Sequence, residues 1–295
     1  MRHEIIRKEM GQHLQEGGES MQGIDSFQDK VVVVTGAGSG IGRAIAHLFS
    51  EHQAKLVIAD MNSARLSQVE EELRARGTQV VAQVIDVSDL EQVTALTKYT
   101  LDSYDRVDIL VNNAGIGWGG PSDIFPLEDF FKVMAVNFWG VIYGVQCFLP
   151  ALKQQGGGHI VNICSSAGLN GTVALGAYSA SKHAVAGYSE VLRAELNRFD
   201  IGVTAICPGI IKTNIVQDGK STLAPGMRFG HKEMIDFYKK WGWPPEKVAR
   251  AVLKAVKKNK GVVPVGPEAW IFWYMKRISQ SLWETYLRLN VRIGF

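Results

Sequence analysis

The chain has 295 residues, 46% of them hydrophobic and 21% charged, with a formal net charge of +3. That balance excludes a general affinity for polyanions and suits one globular unit with a full core, or at most two small ones. The charge is uneven: residues 1–245 carry 22 basic and 26 acidic side chains, whereas residues 246–295 carry 10 and 3, so a basic C-terminal segment follows a slightly acidic body.

The N-terminal stretch, residues 1–28, is polar and lacks the apolar core of a secretion signal. It reads as a flexible or weakly helical extension, and Met21 offers an alternative start. From Lys30 the pattern alternates. "KVVVVT" (30–35) is a continuous β-branched run, as expected of a strand buried on both faces. A glycine-rich turn and a helix-like segment follow. "AKLVIAD" (54–60) reads as a second strand, and 62–77 as a helix capped by Asn62 and closed at Gly77. Residues 79–86, 107–115, 158–166, 202–209 and 261–266 supply further apolar runs, separated by helix-length segments. The alternation predicts βαβ units and a single α/β domain: a Rossmann-type, doubly wound parallel sheet of about seven strands with helices on both faces. No apolar run approaches the ~18 residues of a membrane span. Cys147, Cys164 and Cys207 lie in apolar contexts without a C-x-x-C, which argues for a reducing, cytoplasmic compartment and against a disulfide framework or a metal site.

Sheets of this kind bind ligands at the carboxyl ends of their strands, and four features fall there. "TGAGSGIG" (35–42) follows the first strand. Its glycines allow close backbone approach to phosphate, and a helix starting near Gly40 offers free N–H groups, although an ordinary βα turn reads the same way. Asp60 ends the second strand, where a carboxylate can accept bonds from ribose hydroxyls and repel a 2′-phosphate. No basic residue follows it before Arg65, and none lies in the turn before Arg43, so NAD is favoured over NADP. Asp86 ends the third strand with the same two readings as Asp60. Ser165 and Ser166 end the fifth. In "YSASK" (178–182), Tyr178 and Lys182 share one helix face, so the ammonium is expected to lower the pKa of the phenol and make it a general acid and base near neutral pH.

"TGAGSGIG", "NNAG" (112–115), Asn137 in "VNFWG", Ser165, "YSASK" and "PGIIKT" (208–213) occur in the order and spacing of the short-chain dehydrogenases/reductases, and the chain from about Lys30 to Gly266 resembles the single-domain NAD(P)-dependent oxidoreductase branch of that family. The resemblance implies that Tyr178 exchanges a proton with the substrate oxygen and that Ser165, preferred to Ser166 by family spacing, hydrogen-bonds that oxygen. Lys182 would hold the nicotinamide ribose and tune Tyr178, and Asn137 would anchor a water between Lys182 and solvent. The implied cofactor contacts are Gly36, Ser39, Gly40, Ile41 and Gly42 at the pyrophosphate, Asp60 at the adenosine ribose and Asp86 with Val87 at the adenine. Asn113, Ala114 and Gly115 would lie beside the cofactor, and Pro208, Gly209, Ile211 and Thr213 at the nicotinamide end. Cys164 departs from the common serine and is expected not to touch the catalytic set.

The expected function is interconversion of an alcohol and its carbonyl. NADP-dependent carbonyl reduction is the alternative within the class, and a non-catalytic dinucleotide-binding regulator or scaffold the alternative outside it. Ile116, Trp118, Leu169, Asn170, Gly176 and residues 213–243 are placed to shape the substrate, and their mostly apolar or small character favours a hydrophobic one. The resemblance also implies a homo-oligomer, dimer or tetramer, through the helices at 120–153 and 176–199. Residues 267–295 mix aromatic and basic side chains at helical spacing. They suit peripheral contact with a membrane interface, or packing on a neighbouring subunit, or closure of the pocket. No nucleic-acid contact is expected.

Overall fold

The computed structural model describes residues 23–222 and 230–293. Among them seven parallel strands form one sheet in the order β3-β2-β1-β4-β5-β6-β7. The strands are β1 (Val31–Thr35), β2 (Lys55–Asp60), β3 (Val80–Val84), β4 (Ile109–Asn112), β5 (Gly158–Ile163), β6 (Ile201–Pro208) and β7 (Val262–Val265). Chain order reverses between β1 and β4, which opens a crevice at their carboxyl ends.

Every side chain of β1 is buried, and pleating sorts them into two cores. Val32 and Val34 face helices α1 (Gly40–Glu51), α2 (Ser63–Ala75) and α8 (Pro245–Lys257), meeting Ile45, Phe49, Leu73 and Val252. Val31 and Val33 face α3 (Leu90–Tyr104), α5 (Gly140–Gln154) and α6 (Gly176–Leu196), meeting Leu96, Phe148, Leu152 and Leu192. Each such side chain contributes about 1.5–3 kcal/mol by leaving water. Helix starts are set locally: the Asn62 side chain accepts from Arg65 N–H, and Asp89 accepts from Glu91 and Gln92 N–H. A buried polar ladder joins the layers, with Asn112 donating to Asn162 at 2.9 Å and Asn162 to Ser189 at 2.9 Å.

Two expectations change. The extension expected over 1–28 lies outside the described residues for 1–22, but residues 23–28 pack on the body. Phe27 is buried edge-on against Phe49, 5.0 Å between centroids, and Ile24 N–H donates to the Val256 carbonyl. A single aromatic side chain fills the floor beneath α1, which polarity of the stretch as a whole conceals. Second, α4 (Leu127–Met134), a π-helical turn (Ala135–Trp139) and α5 run on as one helix of 28 residues, long and apolar enough by length and composition to cross a membrane. Its Val145, Phe148 and Leu152 are instead fully buried against the sheet, since a helix covering a parallel sheet is also strongly apolar. The C-terminal segment forms α9 (Pro267–Ile278) and α10 (Gln280–Ile293), helical as its spacing suggested, with Ala269 fully buried and Trp283 nearly buried against Phe272 and Tyr286. The remaining helix, α7 (His231–Trp241), precedes α8; residues 223–229 of the expected substrate segment lie outside the described residues.

Candidate active site

The glycine turn after β1 is shaped by contacts that no other residue type permits. Gly36 has φ +65°, and a Cβ on Gly42 would stand 2.1 Å from the Gly36 carbonyl oxygen. Asn113, at the end of β4, donates to the carbonyls of Thr35 (2.9 Å) and Gly36 (3.0 Å), while Asn113 and Ala114 N–H both donate to Thr35 Oγ1. Asn113 therefore clamps the turn. No side chain caps α1 at Ser39, so the N–H groups around Gly40 and Ile41 are left for an anion, as a pyrophosphate requires. Thr213 closes over Gly40, where a Cβ would meet its methyl at 3.0 Å.

On the adenosine side, Asp60 Oδ2 accepts from Gly38 N–H and Oδ1 from Asn62 N–H, both at 2.9 Å. The carboxylate is thus fixed at the mouth of the turn with lone pairs to spare. The two arginines in reach are already paired: Arg43 forks onto Glu72, and Arg65 onto Asp218. Asp86 accepts from Ser88 N–H (2.9 Å) and Oγ (2.7 Å), and Val87 is buried beneath Gly140.

The four catalytic candidates converge beside the turn. Asn137 sits in the π-helical turn, fully buried. Its Oδ1 accepts from Ile116 N–H (2.8 Å), and its Nδ2 donates to the Ile116 carbonyl (3.0 Å) and to Ser181 Oγ (3.2 Å). Ser181 in turn donates to the Tyr178 carbonyl at 2.7 Å. Lys182 is buried at 3% exposure with Nζ donating to the Ile163 carbonyl at 2.9 Å. A Cβ on Gly115 would lie 3.1 Å from Asn137 Oδ1 and 3.5 Å from Lys182 Nζ, so only glycine leaves that space open. Lys182 Nζ stands 5.9 Å from the Tyr178 ring centroid, and Ser165, nearly buried, accepts from Ala167 N–H.

Tyr178 behaves differently from the expectation. It keeps part of its surface in contact with solvent, yet burial of the phenol pushes its pKa well above the ordinary value; the Ser165 hydroxyl draws it down, and Tyr238 and Cys164 add to the rise. Burial also lowers the pKa of Lys182. Desolvation, and not the ammonium one helical turn away, dominates the phenol. Cys164 is a second correction: its Sγ donates to the Lys182 carbonyl at 3.0 Å, so it does touch the catalytic helix.

On the far side, Pro208 ends β6, Ile211 is buried in the core, and Gly209 lies against Glu268, where a Cβ would meet the carboxylate at 2.2 Å. Glu268, from α9, accepts from Ile210 N–H at 2.9 Å, and Lys276 donates to the Leu169 carbonyl at 3.2 Å. Asn170 is buried and, with its amide turned, donates to the Phe272 carbonyl. Helix α9 therefore braces the loops at 169–170 and 209–210. Trp118 lies between Lys132 and Lys220, 5.5 and 5.6 Å from its centroid. Sequence reasoning did not single out Ser181 or Glu268, and reached Asp218 and Tyr238 only as part of 213–243. Ser181 lay inside a recognised motif, whereas Glu268 carries no local signal.

A family model described as short chain dehydrogenase matches residues 30–224. The chain is 41% identical over 271 residues to a Mycobacterium tuberculosis protein named probable oxidoreductase EphD, a match covering 90% of this chain and 46% of that protein. It thus spans about half the length of the first curated relatives it matches. It is 36% identical over 249 residues to levodione reductase of Leifsonia aquatica, covering 81% of this chain and 93% of that one. A short chain dehydrogenase/reductase from Burkholderia phymatum, solved in complex with NAD, superposes with a TM-score of 0.81 at 32% identity, covering 88% of this chain and 96% of that one.

Proposed function

This chain belongs to the short-chain dehydrogenase family, and on that premise we propose that it interconverts a hydrophobic alcohol and its carbonyl with NAD. The observation that carries the reading is the convergence of Ser165, Tyr178 and Lys182 beside an uncapped, glycine-lined helix start. The kinship to a levodione reductase and the likeness to an NAD-bound dehydrogenase support the reaction class. The unit at 29–266 is taken as catalytic, with 267–293 bracing it.

Bound at the glycine turn, the dinucleotide would supply the hydride acceptor or donor. Tyr178 takes the hydroxyl proton on oxidation and returns it on reduction. Ser165 Oγ hydrogen-bonds the same oxygen and orients it. Lys182 holds the ribose hydroxyls and offers its charge to the phenolate. Asn137 fixes the loop at Ile116 and the helix at Ser181, which sets the floor from which a water reaches Lys182. Oxidation of a panel of apolar alcohols with NAD, followed by absorbance of the reduced dinucleotide, tests the assignment. Turnover of none of them by a chain that binds NAD would favour a non-catalytic regulator.

NAD is preferred to NADP because the Asp60 carboxylate at the end of β2 would repel a 2′-phosphate. Asp60→Ala removes both the ribose hydrogen bonds and the repelling charge. Charge-assisted bonds are worth about 1.5–3 kcal/mol each, so relative affinity shifts toward NADP by about tenfold or more. Titration of both cofactors reads the shift, and tighter NADP binding by the unaltered chain would reject the assignment.

We further read the chain as a homo-oligomer through α4–α6, where Phe131, Trp139 and Val191 are exposed. The tail has a second apolar face. Ala269 is buried and Phe272 packs on Trp283 and Tyr286 of α10, while Trp270, Ile271, Tyr274 and Ile278 form an exposed stripe on the other side of α9. With the basic excess of this region the stripe suits an anionic bilayer surface. The full chain is expected to float with anionic vesicles, and Ile271→Asp with Ile278→Asp to abolish flotation. Flotation unaffected by the pair, or absent from the unaltered chain, ends the membrane reading.

A further inference from the structure

Arg65 and Asp218 are 153 residues apart in sequence and come from opposite sides of the crevice. Arg65 lies in the first turn of α2, after β2. Asp218 lies after β6. In the sheet β2 flanks β1 on one side and β6 is reached through β4 and β5 on the other, so the pair spans the β1–β4 opening. The guanidinium forks onto the carboxylate, with Nη2 to Oδ1 at 3.0 Å and a second, shorter contact from Nη1 to Oδ2. Beneath it lies the turn itself: a Cβ on Gly38 would touch both the Asp60 carboxylate and Arg65 Cβ. The segment carrying Asp218 is also the one that lays Thr213 over Gly40.

The surroundings show what the pair withholds. A cavity of about 690 Å³ beside the turn is lined by Arg43, Arg65, Arg76, Lys212 and Arg250. Such a wall would attract a 2′-phosphate strongly, against the effect of Asp60. Three of the arginines carry an acid partner: Arg43 has Glu72, Arg76 has Glu51 at 3.6 Å, and Arg65 has Asp218. Glu51 and Glu72 sit on the neighbouring helices α1 and α2. Asp218 alone of the three comes from the substrate side. The pairing holds the carboxyl of Asp218 below its usual range, through its hydrogen bonds with Arg65.

We propose that Asp218 determines dinucleotide specificity: it occupies Arg65, the guanidinium nearest Asp60, and so denies it to a 2′-phosphate while clasping the substrate-side segment over the cofactor cleft. Cofactor choice then depends on two carboxylates. Asp60 repels the phosphate directly, and Asp218 removes the cation that would otherwise hold it. The inference rests on the NAD reading of the site, because it assigns the same cleft to the adenosine ribose.

Both side chains are about two-fifths exposed, at 38% and 42%, so neutral substitutions leave the fold intact. The experiment measures dissociation constants of NAD and NADP by quenching of intrinsic tryptophan fluorescence for the full chain, Asp218→Asn, Arg65→Gln and the double variant. Asp218→Asn frees the guanidinium and is expected to raise NADP affinity relative to NAD by about tenfold or more, the effect of one charge-assisted contact. Arg65→Gln and the double variant are expected to keep the selectivity of the unaltered chain, although both also open the clasp. The double variant controls for Lys212 and Arg250, which it leaves in place. An unchanged ratio in Asp218→Asn overturns the proposal, and so does an equal rise in Arg65→Gln. If the unaltered chain binds NAD in either of those cases, the NAD reading survives the loss. A chain that binds neither dinucleotide overturns both.

Discussion

Tyr178→Phe is expected to lower turnover of the responding alcohol by about 10²–10⁴-fold while NAD affinity stays nearly unchanged. The substitution keeps the ring, and with it the packing at the start of α6, and deletes only the hydroxyl. Ser165 still orients the substrate oxygen, and Lys182 is still held on the Ile163 carbonyl at 2.9 Å, so binding groups persist. What disappears is the one group placed to exchange the proton. Among the described residues no neighbouring titratable side chain replaces it: Tyr238 is itself pushed to a higher pKa by burial, and the Cys164 thiol is turned onto the Lys182 carbonyl. Steady-state turnover with NAD in excess, alongside a fluorescence titration of NAD, separates chemistry from binding. Retention of most of the activity would remove Tyr178 from the mechanism.

Lys182→Met is expected to cost about 10²-fold in oxidation near neutral pH and to move the rising limb of the pH–rate profile upward by about two units. Burial already pushes the Tyr178 phenol above its ordinary pKa, so the phenolate needs a cation. The ammonium lies 5.9 Å from the ring centroid. For a phenolate charge centred on the ring at that separation, and an effective dielectric of about 20, the attraction is about 3 kcal/mol, or roughly two pKa units. The sign follows from which state the charge favours: removing a cation raises the phenol pKa further, so a higher pH is needed for the same fraction of base. In the unaltered chain the burial-lowered pKa of Lys182 sets the opposite limit, since the help is lost as pH rises through it. Methionine matches the lysine stem in length and apolar character, which limits the packing loss. A uniform fall in rate with no displacement of the pH profile would assign Lys182 a purely structural or binding part.

The order of elements, the parallel sheet and the residues of the candidate site were legible in the sequence because their signals are local. A continuous β-branched run such as Val31–Val34 is unsuited to anything but a strand buried on both faces. Glycines at 36, 40 and 42 mark a turn where backbone must approach backbone, and the four-residue spacing of Tyr178 and Lys182 fixes them on one helix face. Contacts made between distant elements were not legible. Asn137 reaches Ile116 and Ser181 only because the helix carries a π-helical turn there. Cys164 meets Lys182 because the chain leaving β5 passes under α6, and Glu268 meets Ile210 because α9 folds back over the end of β6. Arg65 and Asp218 meet because the sheet order sets β2 and β6 on either side of one crevice. The same limit misled the reading of Tyr178: sequence spacing gives the distance to a neighbouring charge along a helix, but desolvation depends on how much protein surrounds the phenol, and only the packed tertiary structure decides that.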